Sequence, residues 1–403
     1  MNYECITWPV ISDIPNYESK PGYEVIETAT YKKAGKIKLL SGHEAWHVIN
    51  YNDVKKVLIN KNCVRALSNE PGAPSILPTL TPKDLLLNLD PPNHSRMKSF
   101  VAKYYSASSL AWLEEKIINA VEILLCKSRR HKELDLYSEI LDPLSVKINC
   151  LLLGLPEDEI PFFRELSLTI QKSDPDHVEM LTTDFTKLYQ YLNEHVRGER
   201  DNYQQGLINI FTKHRRAVHP PLNDNEIIAL LIGSLLGGDQ NVLTVMTKIF
   251  YALLNSDILW RFVVLNKNSI PLVVNELIRL TNLGSASAFP RICTDDVYLD
   301  SALIPIGSAI YPDVYLANRD PGIYEHPLEV NPFRQGPRHL QFGYGMHHCM
   351  GQELVRLEIC TAIKALTNLA PTLRLKKDLN FSDYKWEEGI ILRRPTRLPV
   401  ILH

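Results

Sequence analysis

No Pro/Gly/Ser-rich linker, block of like charge or internal repeat interrupts the 403-residue chain. That excludes repeat arrays and tethered modules, so one domain over residues 1–403 is expected, although the length would suit two or three. Excess charge of one sign is also missing. Lys and Arg number 44 against 46 Asp and Glu, a net −2, so nothing marks a nucleic-acid binder. The opening Met1-Asn2-Tyr3-Glu4-Cys5 has neither a basic stretch nor an apolar run. Neither signal peptide nor membrane anchor is predicted from it, and a cytoplasmic protein is expected. The seven cysteines (5, 63, 126, 150, 293, 349 and 360) lack paired spacing. An odd, unpatterned set argues for a reducing compartment over a disulfide framework. No phosphate-cradling glycine loop for flavin or nicotinamide is visible, so any electrons must come from a separate protein.

What is present is a 45% hydrophobic composition, ample for a large core, and one unusual stretch. Phe342-Gly343-Tyr344-Gly345-Met346-His347-His348-Cys349-Met350-Gly351 leads into Gln352-Glu353-Leu354-Val355-Arg356-Leu357-Glu358, which reads as a helix. Gly343 and Gly345 allow backbone angles closed to other residues and let a flat ligand approach the main chain. Cys349 would sit just before a helix N-terminus, where free N–H groups and the dipole favour a thiolate. Such a sulfur is a metal ligand, a nucleophile, or, like most buried cysteines, neither.

Phe, Gly, Gly, His, Cys and Gly at 342, 343, 345, 347, 349 and 351 resemble the haem-binding loop of the cytochrome P450 family at each fixed position. The resemblance implies a mostly α fold with small β-sheets. A small N-terminal sheet region would span about 25–65 and a helical haem-binding body about 90–403. It also implies haem b, with Cys349 as the axial thiolate ligand of its iron and Phe342 packed near the sulfur.

Other landmarks follow in order. Lys36–Leu40 and Trp46–Tyr51 alternate like strands, Asp53–Leu58 reads as a short helix, and 68–80 reads as loop. After Leu89-Asp90-Pro91-Pro92, His94 and Lys98 fall on one helical face. There the family binds haem propionates through His and Arg; Lys98 keeps the charge but loses the bidentate fork. Arg96 and Lys103 could belong to a docking face for an acidic redox partner, or simply to a solvated one. Residues 110–217 read as amphipathic helices with charged breaks such as 127–132, and they carry no recognisable chemistry.

Asp224–Asn255 reads as a long helix interrupted by Ser234-Leu235-Leu236-Gly237-Gly238-Asp239-Gln240-Asn241. Paired glycines cost about 1 kcal/mol each in a helix interior, so they serve a close approach or a bulge. The segment resembles the family's oxygen-binding groove, which implies that Gly238, Gln240 and Asn241 line the oxygen site. The family's acid and alcohol are replaced there by Gln240 and Asn241. Amides orient water but do not exchange protons near neutral pH. Asp239 is one residue off, rotated about 100° around the helix.

Glu276 and Arg279 share a helix face, and with Arg334 they match the family's structural Glu-Arg-Arg set. Arg291 and His347 match propionate contacts. Ser234, Gly237, Leu283, Ala286 and Phe289, with Ile390 and Ile391 at a hairpin tip, match pocket positions. Ala317-Asn318-Arg319-Asp320-Pro321 is another recurrent family phrase.

The function so implied is a monomeric, anchor-free monooxygenase acting on a small organic substrate of natural-product biosynthesis, free or carrier-bound. O₂ is the oxidant, and ferredoxin with its ferredoxin reductase supplies electrons. Within the fold, the Gln240-Asn241 pair leaves room for an atypical reaction such as coupling, rearrangement, dehydration or peroxide use. In another class stands a catalytically silent haem-binding scaffold. A cysteine hydrolase lacks a companion for Cys349 beyond His347.

Overall fold

Alternating burial creates the N-terminal sheet. The computed structural model of the protein describes residues 7–10, 23–128, 132–201, 205–284, 286–376 and 384–402. Strands β1 (Tyr23–Glu27), β2 (Gly35–Leu39) and β3 (Glu44–Val48) pair antiparallel in sequence. In β2 Ile37 and Leu39 are buried while Lys38 is exposed, the period-two pattern of a half-buried strand. β4 (Cys63–Val64), β5 (Arg291–Cys293) and β6 (Ala309–Pro312) complete a six-stranded sheet in the order β1-β2-β3-β6-β5-β4. β3 runs parallel to β6, whereas β5 is antiparallel to both β6 and β4. The pairing Cys63↔Cys293 therefore brings residues 63–65 beside Arg291.

Helix α1 (Tyr51–Ile59) covers this sheet, its first turn capped by the Asn50 side chain accepting from the N–H groups of Asn52 and Asp53. The helices that reach the site are α2 (Asn93–Ala102), α3 (Asp142–Leu153), α4 (Ile160–Lys172), α5 (Asp224–Leu236), α6 (Val242–Asn255), α7 (Ile270–Leu280) and α8 (Gln352–Leu369). α5 starts with a reciprocal capping box between Asn223 and Glu226. Ile227 to Ile232 are buried on every side, as expected of a helix through the middle of a core. The run Asp224–Asn255 is long and apolar enough to cross a bilayer, but 78% of its apolar window lies inside the protein. Gly237–Asn241 is one π-helical turn between α5 and α6, the bulge that the paired glycines suggested.

One feature was not visible locally. Near the charged break at 127–132, of which 129–131 lie outside the described residues, Glu133–Asp135 forms a strand against Pro399–Ile401. A three-residue strand whose partner is so distant leaves no local periodicity. Near the C-terminus β7 (Trp386–Glu387) and β8 (Arg394–Pro395) form the expected hairpin.

Candidate active site

A cavity of about 440 Å³ lies between the α5–α6 helix and the cysteine loop. The loop's shape follows from its glycines. Gly343 and Gly345 both sit at φ +72°, where side chains are strained. Gly343 lines the cavity, whereas Gly345 faces α1: a Cβ there would lie 3.0 Å from Leu58 O and from Ile59 Cγ2. Cys349 N–H donates to Phe342 O at 2.7 Å and closes the loop. The free surface of the cysteine opens onto the cavity. Burial pushes its thiol up, against the N–H groups of Gly351 and Gln352 and the Lys98 ammonium, which pull it down. The helix-terminus effect expected from sequence is thus present but outweighed by desolvation.

Basic groups converge on the same cavity. His94, at the start of α2, is buried, and its ring lies 4.4 Å from that of His347. Burial, then His347 and Lys98, bring His94 down to about 4. Burial also lowers His347, against the pull of Asp90. Arg291 of β5 is buried and donates to Cys63 O at 3.2 Å. Arg65, just past β4, donates to Ser68 Oγ at 2.7 Å, to Leu87 O at 3.2 Å and to Pro290 O. Burial and the neighbouring Arg291 lower Arg65 to about 9. Lys98 spends hydrogens on Met346 O and, at 2.8 Å, on His348 O, so it also braces the cysteine loop.

His94 Nδ1, Arg291 Nε and His347 Nε2 are buried without a hydrogen-bond partner among the described residues. His347 Nε2 lies 3.7 Å from Asp90 Oδ1, too far for a hydrogen bond. Buried polar atoms are rarely left so. An apolar chamber with a sulfur on one wall and unanswered nitrogens of one arginine and two histidines on another fits a flat haem whose anionic edge groups meet those nitrogens.

The π turn separates side chains that face the cavity from those that face the core. Ser234, Gly237, Gly238, Asn241, Val242 and Val245 line the cavity, at helical spacings of three and four. Gln240 does not join them. Its amide nitrogen donates to Asp239 Oδ2 at 2.8 Å, and its oxygen accepts from Arg394 at 2.5 Å. The expectation that Gln240 lines the oxygen site is corrected: it is fastened into the core on the other side of the helix. Asp239 likewise points away, 3.3 Å from the Arg164 guanidinium. The carbonyls around the turn are answered from other elements. Asn149 donates to Leu235 O at 3.0 Å, Gln171 to Leu236 O at 2.7 Å and Ser145 to Asp239 O at 3.1 Å. Thr244 donates to Gln240 O at 2.7 Å.

Leu283 and Phe289 reach the cavity, but Ala286, Ile390 and Ile391 do not. Ala286 packs in the cluster of Ile37 and Leu39, its N–H donating to Ile390 O at 3.3 Å. The hairpin tip lies on α4, where Ile390 N–H donates to Lys172 O at 2.9 Å, and that contact withholds it from the ligand space. Phe342 lines the cavity beside Cys349 and has the Arg356 guanidinium 5.6 Å from its ring centre.

Glu276 accepts from Arg279 at 2.8 and 2.9 Å and from Arg334 at 2.7 Å, away from the cavity. Arg279 also donates to Asn318 O at 2.7 Å, so the 317–321 phrase is a joint against α7. Arg96 is paired with Glu226, and the Lys103 ammonium stands 4.8 Å from the Tyr104 ring centre. Both cations, read from sequence as belonging to a docking face or simply to a solvated one, thus have intramolecular partners.

Sequence reasoning missed Arg65, Asn149, Gln171 and Arg394. Each lies far along the chain from the loop or turn it serves, and none belongs to a local pattern.

Comparison with known proteins adds an independent line. A family model described as Cytochrome P450 matches residues 270–377. Mycinamicin IV hydroxylase/epoxidase from Micromonospora griseorubida is 30% identical over 361 residues, 89% of this chain and 90% of that protein. Nocardicin C N-oxygenase from Nocardia uniformis subsp. tsuyamanensis is 29% identical over 384 residues, 94% of each chain. Among solved structures, that of HinD with NMFT and NO superposes with a TM-score of 0.85 at 26% identity, covering 96% of this chain and 98% of the other.

Proposed function

The chain belongs to the cytochrome P450 family and is a haem-iron monooxygenase, and from that premise we propose how its own residues serve the reaction. The observation that carries the proposal is the chamber itself, with Cys349 at one wall and the unanswered donors of His94, Arg291 and His347 at another. Bound haem b would supply activation of O₂ by electrons delivered from outside. Cys349 would ligate the haem iron through Sγ. The N–H groups of Gly351 and Gln352 and the Lys98 ammonium stabilise negative charge on Sγ. His94, Lys98, Arg291 and His347, joined by Arg65, would hold the propionates through charge-assisted hydrogen bonds. Phe342 shields the sulfur from water.

Gly237 leaves the helix wall of the chamber without a side chain, and Asn241 would orient water or ligand there. No carboxyl from residues 239–241 faces the chamber, so the protons consumed arrive through water or from the substrate. Apolar walls such as Leu283, Val245 and Phe289 favour a largely apolar organic substrate. Related proteins named for mycinamicin IV and nocardicin C support a natural-product intermediate, free or carrier-bound, as that substrate. A ferredoxin with its reductase is the proposed electron source.

The test is spectroscopic. Reduced protein under carbon monoxide should show the red-shifted Soret band of a thiolate-ligated haem, and Cys349→Ala should lose it. Purified protein without porphyrin, or a Cys349→Ala variant with an unaltered spectrum, would overturn the assignment.

A further inference from the structure

We infer that Asn241 turns its amide nitrogen toward the cavity and that Gln171 is a positioning residue that holds it that way round. Gln171 comes from α4, is 6% exposed, and places Nε2 2.7 Å from Leu236 O and 3.1 Å from Asn241 Oδ1. A backbone carbonyl oxygen only accepts, so the Gln171 atom facing Leu236 must be the nitrogen. Its second hydrogen needs an acceptor, which makes the neighbouring Asn241 atom the oxygen. The Asn241 NH₂ is then left on the far side of a planar group. It has no partner among the described residues, and its residue lines the cavity. The anchor arises from the distortion it serves, because Leu236 is the residue before the π turn.

No other side chain on this helix wall offers a free donor to the cavity. Ser234 gives its hydroxyl proton to Leu230 O at 2.8 Å. Thr244 and Gln240 are spent on the core. The wall therefore presents a single fixed donor that does not act as an acid. It suits a hydrogen-bond acceptor on the bound ligand, such as a carbonyl or ether oxygen or the outer atom of a diatomic. The inference rests on the haem reading above, since it takes the donor to face the ligand side of the chamber.

Carbon monoxide is the probe. A hydrogen bond to the outer oxygen lowers the C–O stretching frequency, which is read in the infrared spectrum of the reduced, carbonylated protein. The native protein should give one narrow band. Asn241→Leu should move it upward. Gln171→Leu should move it upward or split it, because the unheld amide then turns both ways. In the Asn241→Leu background Gln171→Leu should add nothing, a result that a merely structural Gln171 would not produce. Gln171→Met serves if the Leu variant fails to fold. An intact thiolate-type Soret band with a C–O band unmoved by Asn241→Leu or by Gln171→Leu overturns the inference alone. So does an equal shift from Gln171→Leu with and without Asn241. Native protein lacking that Soret band overturns the haem reading and this inference together.

Discussion

Adjacent glycines in the π turn should respond oppositely to alanine. A Cβ built on Gly238 would stand 2.6 Å from Asn149 Oδ1 and 3.2 Å from its Cγ. Asn149 cannot simply yield, since its Nδ2 holds Leu235 O at 3.0 Å inside the core. Overpacking of this kind costs about 1–3 kcal/mol. Displacing Asn149 would also orphan a buried carbonyl, for about 1–3 kcal/mol more. Alanine's helix preference returns roughly 1 kcal/mol, so Gly238→Ala should lose about 3 kcal/mol in all. A Cβ on Gly237 meets nothing within 4 Å. Gly237→Ala should therefore keep or gain up to about 1 kcal/mol of stability. Urea midpoints of the haem-loaded variants, followed by far-ultraviolet circular dichroism, give the comparison. In an Asn149→Ala background Gly238→Ala should cost at least about 1 kcal/mol less than in the native protein. Equal losses at 237 and 238, or a cost at 238 independent of Asn149, would refute the packing argument.

Other consequences can be measured alongside. His339 must stay neutral: its Nε2 donates to Asn275 Oδ1 at 3.2 Å, an oxygen that also accepts from Arg356, while its Nδ1 accepts from Gln341 N–H at 3.3 Å. Burial, then Arg356 and Arg279, hold it down at about 3, so the native state binds fewer protons than the unfolded chain between pH 6.5 and about 3. Its stability contribution is full above that window and is lost as pH falls, at up to about 1.4 kcal/mol per pH unit. His339→Gln should flatten the acid limb of a urea-midpoint profile by about one proton, and unchanged slopes would contradict the assignment. Arg279→Met strips Glu276 of a fully buried partner and should cost about 3–5 kcal/mol. Arg334→Met should cost less in the same denaturation assay, its guanidinium being at 10% exposure already near water. Arg65→Leu should speed haem loss to a scavenging acceptor protein by about tenfold, one charge-assisted hydrogen bond's worth. An unchanged rate would remove Arg65 from the haem-binding set.

The parts of this protein that could be read in its sequence are those where one short segment does the work. The cysteine loop is local: three glycines, two histidines and a cysteine within ten residues, followed by a helix start. The β2 and β3 strands and the paired-glycine bulge are local too, because alternation and propensity act over a few residues. Gln240 was misplaced for a reason also present in the sequence. Positions 234, 237, 241 and 245 step by three and four, so the residue before 241 belongs to another face. Helical phase, and not the family position, decides where Gln240 lies. Arg65, Asn149, Gln171 and Arg394 were illegible because their partners are fixed by tertiary packing. Ile390 and Ile391 failed as pocket residues because α4 received the hairpin tip first.

The cationic end of the chamber ties stability to ligand in a way that neither the sheet nor the helices explain alone. Two guanidiniums, Arg65 and Arg291, are buried side by side because strand pairing sets residues 63 and 293 opposite one another. Burial and their mutual repulsion already depress Arg65 to about 9. The nearest carboxylate, Asp90, is engaged elsewhere: it accepts from the N–H groups of Arg65 and Ala66 at 2.8–3.2 Å. Although burial raises Asp90, His347 and those N–H groups bring it down to about 2. Buried charges without a counter-ion cost several kcal/mol each, so an anion bound at that end would offset part of that cost. A ligand that binds the native chain and not the unfolded one adds its binding free energy to the stability of the whole. Under the proposed haem binding, the propionates would relieve the repulsion that sheet closure creates between the two arginines.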